Sequence, residues 1–446
     1  MSTDRAVQGG GSPLRRILKN TAWLLGGKGF GAVCGLAYLA ILTRSLGLKD
    51  FGHFALIFGT AQALIAITGF ETWRAVVRYG AEHVHRGDWV RFGRLGLFCG
   101  VVDAVSASVG CLIAFVLIYG FGDRLDLNPA YVDMSFAFCC AMVWALVSAP
   151  TGIVRALHRF DVAVYVEAVV PVGRLLSAAL IWWTGPSVGR FLLAWAVIDL
   201  VEAVLYWTAA RRLRPEAVRL SHLGDWRLTL AENPRLLNFL LVTCGAGAVG
   251  AVMRYGPLLA VGGLVGTRAA GLYRLASQLA QALGKLSTLL TRAVYAEVAH
   301  ARASGGASAF RRLTVQTSLL AGAAGALVVG IALSVGADIL ALVGGRDFER
   351  GGAILVPLTI AASFELASVA FEPVLHTAGR AGDALAARLV GVAALAASIL
   401  ALVGHGAVGI AWAAALGAGG SYVALGLMAF AALRREPQVA DNARPA

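Results

Sequence analysis

At 446 residues, 58% hydrophobic and 14% charged, the chain is too apolar for a soluble globular protein, which carries about 25% charged residues. The apolar residues come in runs long enough to cross a bilayer, so the solvent is lipid. The formal net charge of +13 would suit a nucleic-acid partner, but the basic residues cluster in short segments between the apolar runs, where Lys and Arg set membrane orientation; no nucleic acid is implied.

Residues 1–19 are polar and end in a basic lead-in from Leu14. The apolar run that follows is too long for the core of a cleavable signal, so it reads as a span. Helical spans are expected near 20–43, 51–72, 95–120, 131–155, 162–184, 188–210, 235–262, 268–292, 312–336, 352–375, 384–404 and 407–432. Helices are the default because every backbone polar group must be satisfied within lipid, and the alternating pattern of a membrane barrel is absent. The fold class is therefore all-α integral membrane protein, about 12 transmembrane helices in two six-helix bundles. The expected units are a tail over 1–19, a first bundle over 20–210, a linker over 211–234, a second bundle over 235–433 and a tail over 434–446.

With both termini placed in the cytoplasm, most of the 38 basic residues fall on the cytoplasmic side, as the positive-inside rule requires. The linker carries Pro215, Pro234 and several arginines, and its alternating Leu220, Leu223, Trp226, Leu228 and Leu230 suggest a helix lying on the membrane surface. Glycines at Gly27, Gly31 and Gly35, at Gly96 and Gly100, and at Gly262 and Gly266 recur four apart, which lets helix backbones approach closely or bend. The cysteines Cys34, Cys99, Cys111, Cys139, Cys140 and Cys244 all lie in apolar stretches without metal-ligand spacing and read as small hydrophobes.

One pattern occurs twice. Gly47, Lys49, Gly52 and Phe54 form G-x-K-x-x-G-x-F, and Gly266, Arg268, Gly271 and Tyr273 repeat it as G-x-R-x-x-G-x-Y, 219 residues later (266 − 47). Each run sits between two apolar stretches, and the second stretch ends in a charged segment, Arg74 to Glu82 or Arg292 to His300. Two equivalent halves in the same order point to a transporter with its site between them.

Charges inside the spans mark that site, because an ionised side chain in hydrocarbon costs several kcal/mol. Cations are Lys28, Arg174, Arg254, Arg274 and Lys285; acids are Asp103, Glu167, Asp199, Glu202, Glu365 and Glu372. Glu167 and Arg174 share a helix face, as do Glu365 and Glu372, and Arg274 and Lys285. Lys28, Arg254, Arg274, Lys285 and Arg174 are the candidate substrate-binding residues of a cationic cavity, which favours an anion such as phosphate. Glu365, Glu372, Glu71, Arg74 and Asp199 are candidates for coupling or gating. Rival readings stay open: Arg274 could snorkel to the interface, Asp103, Asp199 and Glu202 could be structural ion-pair partners, and Glu71 and Arg74 could simply lie at the surface. Lys28, among Gly26, Gly27, Gly29 and Gly31, is the hardest to explain without a role.

No phosphate loop, zinc motif or nucleophile elbow is present, so neither a catalytic residue nor a metal or other cofactor is expected.

The run Leu42-Thr43-Arg44-Ser45-Leu46-Gly47, then Phe51-Gly52-His53-Phe54, Gly69-Phe70 and Arg74 to Tyr79, resembles the opening of the Wzx-type polysaccharide-biosynthesis flippases, in the superfamily that includes MATE-type extruders and lipid II flippases. Arg155-Ala156-Leu157-His158-Arg159-Phe160 resembles that family's loop after the fourth span, and Leu375-His376-Thr377-Ala378-Gly379-Arg380 its ending of the tenth. The resemblance covers essentially the whole chain, through order and spacing rather than one specific motif. It implies a V-shaped MATE-like pair of bundles in the bacterial inner membrane. It also implies transfer of undecaprenyl-diphosphate-linked oligosaccharide from the cytoplasmic to the periplasmic leaflet, with Lys28, Arg254 and Lys285 in the cationic cavity. Implied partners are the lipid-linked oligosaccharide, the bilayer, a polysaccharide polymerase and a chain-length regulator. The competing expectations are a MATE-like small-molecule exporter, a lipid II flippase, and a membrane-embedded glycosyltransferase or polymerase, for which the extracytoplasmic loops are short.

Overall fold

The computed structural model describes residues 13–121, 128–222, 224–282, 307–368, 371, 375 and 380–442, with described side chains lying between 29 and 431. No strand occurs among them, as the lipid-solvent argument requires. In chain order the helices are α1 (Pro13–Thr68), α2 (Thr72–His85), α3 (Trp89–Phe121), α4 (Val132–Trp144), α5 (Ser148–Ala156), α6 (Phe160–Thr184), α7 (Val188–Leu213), α8 (Trp226–Glu232), α9 (Leu236–Leu264), α10 (residues 267–282), α11 (Ala307–Gly344), α12 (Gly352–Ser368), α13 (Ala381–Leu402) and α14 (Gly406–Asn442).

As a single rod α1 would be about 84 Å long, far more than a hydrocarbon core of roughly 30 Å. It reverses at Gly47, whose φ of 71° and ψ of 178° are non-helical. The reversal shows in its neighbours: Tyr38 before the glycine and Phe54 after it place their rings 5.5 and 5.8 Å from the one indole of Trp195. Gly266, at φ 114°, turns α9 into α10 in the same way. The first glycine of each repeated motif thus supplies a positive-φ conformation that costs other residues about 1–3 kcal/mol.

The second glycine of each motif supplies contact. A Cβ on Gly52 would sit 2.1 Å from the carbonyl oxygen of Thr267, and a Cβ on Gly271 would sit 2.8 Å from that of Leu48. Thr267 is the counterpart of Leu48 by the spacing of the repeat, so the two halves meet through one reciprocal contact, the signature of an internal pseudo-two-fold. Farther along the seam, a Cβ on Gly262 would lie 2.3 Å from Leu56 Cδ2, and one on Gly59 2.7 Å from Leu258 Cδ2. Gly96 and Gly100 also sit at close approaches, to Ala217 and Trp207. In lipid such packing, rather than water exclusion, holds helices together.

Among the described residues, eight segments are long and apolar enough to cross a membrane, against the twelve spans expected. The 57-residue segment Gly29–His85 contains the Gly47 reversal. The 50-residue segment Gly382–Ala431 contains another, through a 3-10 turn at Val403–His405 and Gly406 at φ 65°. Outward apolar side chains such as Trp183, 86% exposed, and Leu400, 81% exposed, are what a lipid-facing surface presents.

Two helices are interrupted at one level. The chain leaves the helix between α1 and α2, where Glu71 adopts a left-handed φ of 45°, and again between α4 and α5. The resumed helices pack in a cluster around Val76, Phe92, Leu95 and Ile153 at the end of the molecule that carries the linker. The linker is not one surface helix. It is broken into 3-10 turns at Pro215–Val218 and Leu220–His222 followed by α8; Leu223 lies outside the described residues. Proline and glycine interrupt the pattern, and docking replaces membrane contact: Ala217 is buried, Glu232 pairs with Arg94, and Asn233 Oδ1 lies 3.0 Å from His83 Nε2. Trp226 and Leu228 stay about half exposed on the outer side.

Candidate substrate cavity

The two halves bring their charges together around one ring. Arg174 on α6 and Arg274 on α10 place their guanidinium carbons 5.5 and 5.4 Å from the centroid of Phe58. Arg174 also lies 5.5 Å from the Trp195 ring. Guanidinium groups stack on aromatic faces and keep their in-plane N–H donors for other partners. Tyr38 and Tyr255 lie within electrostatic reach of Arg274. The aromatic wall continues through Phe54, 5.8 Å from both Phe58 and Trp195.

Depth follows from position in the helices. Tyr38 is nine residues before Gly47, Phe58 eleven after it, Arg274 eight after Gly266 and Arg174 ten before Thr184. Each therefore lies about 12–17 Å below that end of its helix, which is the middle of a hydrocarbon core of roughly 30 Å.

The two arginines differ in one respect. Arg174 Nη2 is 2.8 Å from Asp199 on α7, with both side chains nearly buried, so the expected coupling acid Asp199 is the counterion of an expected binding residue. Arg274 makes no ion pair among the described residues. The other members of the expected face are sorted by neighbouring helices: Glu167 accepts from Arg155 on α5 and from the Tyr206 hydroxyl, each at 3.1 Å, and does not pair with Arg174. Asp103 pairs with no cation among the described residues; it accepts from Thr72 Oγ1 at 2.8 and 2.9 Å and from the backbone N–H of Ala149 at 2.8 Å. It thereby holds the first turns of α2 and α5, where unsatisfied N–H groups and the helix dipole favour a carboxylate.

A second charged group belongs to the later half. Glu365 on α12 lies within electrostatic reach of Arg254 on α9 and Arg388 on α13, and a Cβ on Gly250 would be 3.7 Å from Arg388 Nη1. Arg254 and Glu365 are both exposed at the protein surface. Arg388, like Phe58, Trp195, Tyr38 and Tyr255, was no sequence candidate: it lies near the start of its span, where a cation reads as an interfacial anchor. Glu71 and Arg74 pair at 2.6 Å across the helix interruption. Lys28 stands on α1 but its side chain is outside those described, and Lys285 and Glu372 lie outside the described residues. Between α1, α10 and α11 a crevice is lined wholly by aliphatic side chains, among them Leu36, Leu39, Leu275 and Leu279.

The sequence profile of the polysaccharide biosynthesis protein family matches residues 17–295. The chain is 28% identical over 339 residues to the inner membrane protein YghQ of Escherichia coli (strain K12), covering 75% of this chain and 94% of that one. Among solved structures, an inward-facing multidrug resistance MATE family transporter of the MOP superfamily superposes with a TM-score of 0.65 at 13% identity, over 93% of this chain and 96% of that one. The lipid II flippase MurJ in an inward closed conformation superposes with a TM-score of 0.68 at 11% identity, over 92% of this chain and 88% of that one. At these identities the likeness is one of fold.

Proposed function

The chain belongs to the polysaccharide biosynthesis protein family, and from that premise we propose that it is an inner-membrane flippase carrying undecaprenyl-diphosphate-linked oligosaccharide from the cytoplasmic to the periplasmic leaflet. The two halves, 20–210 and 235–433, move against each other about the linker 211–234, with both termini cytoplasmic. A polysaccharide polymerase and a chain-length regulator act on the cargo afterwards.

The observation that carries this reading is Arg274, a mid-membrane cation with no ion pair among the described residues, which shares the Phe58 ring with Arg174. A cation kept in the low-dielectric interior without a protein counterion is costly, and a mobile anion offsets that cost. A diphosphate offers guanidinium groups bidentate acceptors, and the surrounding aromatic rings present flat apolar faces to sugar rings. Lys28 and Lys285 join as further donors. The aliphatic crevice between α1, α10 and α11 supports passage of the prenyl chain along that seam while the headgroup crosses between the halves. Membrane potential acting on the bound charge, or proton exchange at Glu365 or Glu372, drives the cycle.

The test is a deletion strain. Its extracted lipids should accumulate a complete diphosphate-linked repeat unit on the cytoplasmic leaflet, with loss of surface polysaccharide. Wild-type protein should restore export, whereas Arg274→Gln should cut it by roughly ten- to a hundred-fold, the worth of one hydrogen bond to a charged group at about 1.5–3 kcal/mol. Lys28→Ala should abolish export while the protein stays in the membrane. Normal lipids and normal surface glycan in the deletion strain would overturn the proposal.

A further inference from the structure

A second cationic and aromatic group lies at the linker end of the molecule, built by the two helix interruptions. Asp103 fixes Thr72 and Ala149, the backbone N–H of Trp73 donates to Ser148 Oγ at 3.0 Å, and a Cβ on Gly152 would be 2.8 Å from Trp73 Cα. The first turns of α2 and α5 therefore cross in backbone contact and form a rigid platform. Trp73 stands on it close to two guanidinium groups, Arg155 with its carbon 5.0 Å from the indole ring and Arg74 at 5.4 Å. One turn on, Arg78 lies 4.9 Å from the ring of Phe239 on α9, at the seam with the other half. Arg78 has no ion pair among the described residues, and Arg74 is about half exposed.

Structural economy does not explain this arrangement. Arg74 and Arg78 are spaced i, i+4, where like charges repel. Glu71 tethers Arg74 at 2.6 Å from a left-handed backbone position that strains a non-glycine residue. Glu167 tethers Arg155 at 3.1 Å. Two acids aim two arginines without cancelling the third, and each guanidinium keeps further N–H donors. Three such forks on aromatic plates match a ligand with several anionic oxygens.

We propose that Trp73, Arg74, Arg78 and Arg155 form a loading site for a diphosphate group, separate from the mid-membrane pair. Trp73 is fifteen residues beyond Phe58, about 20 Å along the helix direction, so one diphosphate cannot occupy both places. The proposal rests on the flippase reading for its cargo: the headgroup is captured at the cytoplasmic face here and then handed inward to Arg174 and Arg274. The chemistry recognised, a diphosphate, is shared by the prenyl-linked cargo and by soluble nucleotide sugars.

The experiment uses the full-length protein in phosphatidylcholine nanodiscs, titrated with undecaprenyl diphosphate and, separately, with a uridine-diphosphate sugar, with quenching of indole fluorescence as the readout. Undecaprenyl diphosphate should quench saturably, Trp73→Phe should remove most of the signal, and Arg74→Gln with Arg78→Gln should weaken binding by about tenfold or more. The Arg74→Lys, Arg78→Lys pair should recover part of it, and Arg274→Gln, which alters the mid-membrane pair beside Trp195, should leave the Trp73-dependent part of the quench in place. Unchanged affinity in the double Gln variant overturns the site, as does loss of that part of the quench in Arg274→Gln alone. Tighter binding of the nucleotide sugar than of the prenyl diphosphate overturns its role as a loading site for lipid-linked cargo. The flippase reading fails separately: a deletion strain with normal lipids would remove it while the quench and its loss in the double variant stood.

Discussion

Replacing Gly52 with alanine tests the contact between the halves most directly. The added Cβ would stand 2.1 Å from the carbonyl oxygen of Thr267, and ordinary contact begins at 3.4 Å, so the two backbones must part by about 1.3 Å. The obstructing atom is main chain and cannot rotate away, and forced overpacking of this kind costs typically 1–3 kcal/mol; the upper half of that range is expected. Gly271→Ala meets the Leu48 oxygen at 2.8 Å, needs about 0.6 Å to reach 3.4 Å, and should cost clearly less. Gly47→Ala isolates the other demand: its Cβ would meet nothing within 4 Å, but φ of 71° with ψ of 178° is a region that essentially only glycine occupies and costs a residue with a Cβ about 1–3 kcal/mol, so Gly47→Asn should fare no better than Gly47→Ala. Thermal unfolding of detergent-purified protein, followed by monodispersity on size exclusion, ranks the variants. Gly52→Ala should melt lowest, several degrees below wild type, with Gly271→Ala between it and wild type. A Gly52→Ala protein as stable as wild type, or less disturbed than Gly271→Ala, would refute the reciprocal contact.

Three further outcomes are expected. Asp103→Ala leaves the Thr72 hydroxyl and the Ala149 N–H without their buried acceptor, a cost of about 1–3 kcal/mol for each group; it should lower the melting temperature and open 69–71 and 145–147 to proteolysis, with Asp103→Asn milder on both readouts. Asp199→Asn strands the nearly buried Arg174 and should cost about 3–5 kcal/mol, while the double variant Arg174→Gln, Asp199→Asn should recover part of that in a double-mutant cycle; strictly additive losses would show that the pair is not coupled. Glu232→Ala frees Arg94 and should speed proteolysis of the 214–235 linker with little change in the melting of the rest, whereas unaltered cleavage would mean the linker is held by its buried Ala217 and not by the ion pair.

What could be read from the sequence was whatever the backbone demands locally. Gly47 and Gly266 were visible because a tight reversal needs residues without a Cβ, and Gly52 and Gly271 because a backbone crossing needs the same. The membrane class was visible because lipid demands long apolar runs. Pairing was not visible. Arg174 had Glu167 on its own face, and Asp199 and Glu202 on the next helix; only the register of α6 against α7 selects Asp199, and register is set by tertiary packing. The interruption before α5 falls at Ala145 to Val147, which carries no proline or glycine, but Pro150 just beyond lacks the N–H that a continuous helix would donate to Leu146 and so marked the break. A signal also lay in Asp103, an acid inside a span with no cation within two turns of it on its own helix, since such a carboxylate must be satisfied by something. The broken ends of two neighbouring helices were what satisfied it. The linker misled in the opposite direction: of its apolar alternation Trp226 and Leu228 stay about half exposed, and what docks against α3 is the buried Ala217 and the Glu232 carboxylate.

The repeat is faithful in backbone and unfaithful in chemistry. By the 219-residue spacing (266 − 47), Gly52 answers to Gly271, Leu48 to Thr267 and Phe54 to Tyr273, and the reciprocal contact shows that these pairs are equivalent in space. By the same spacing Arg274 answers to Ala55, Arg254 to Gly35, Tyr38 to Pro257 and Phe58 to Ser277. The frame around the internal two-fold is shared, whereas the charges and rings placed on it belong to one half or the other. A symmetric ligand would be served by symmetric side chains. An asymmetric set, with Phe58 and Trp195 from the first half and Arg274, without an ion pair among the described residues, from the second, suits a ligand whose two ends differ, anionic at one and ring-bearing at the other. On the flippase reading, the symmetric frame would let the halves rock, because each sees the same contact from either side. The asymmetric lining gives such a cavity a preferred orientation for its occupant, which a diphosphate bearing a glycan at one end and a hydrocarbon at the other requires.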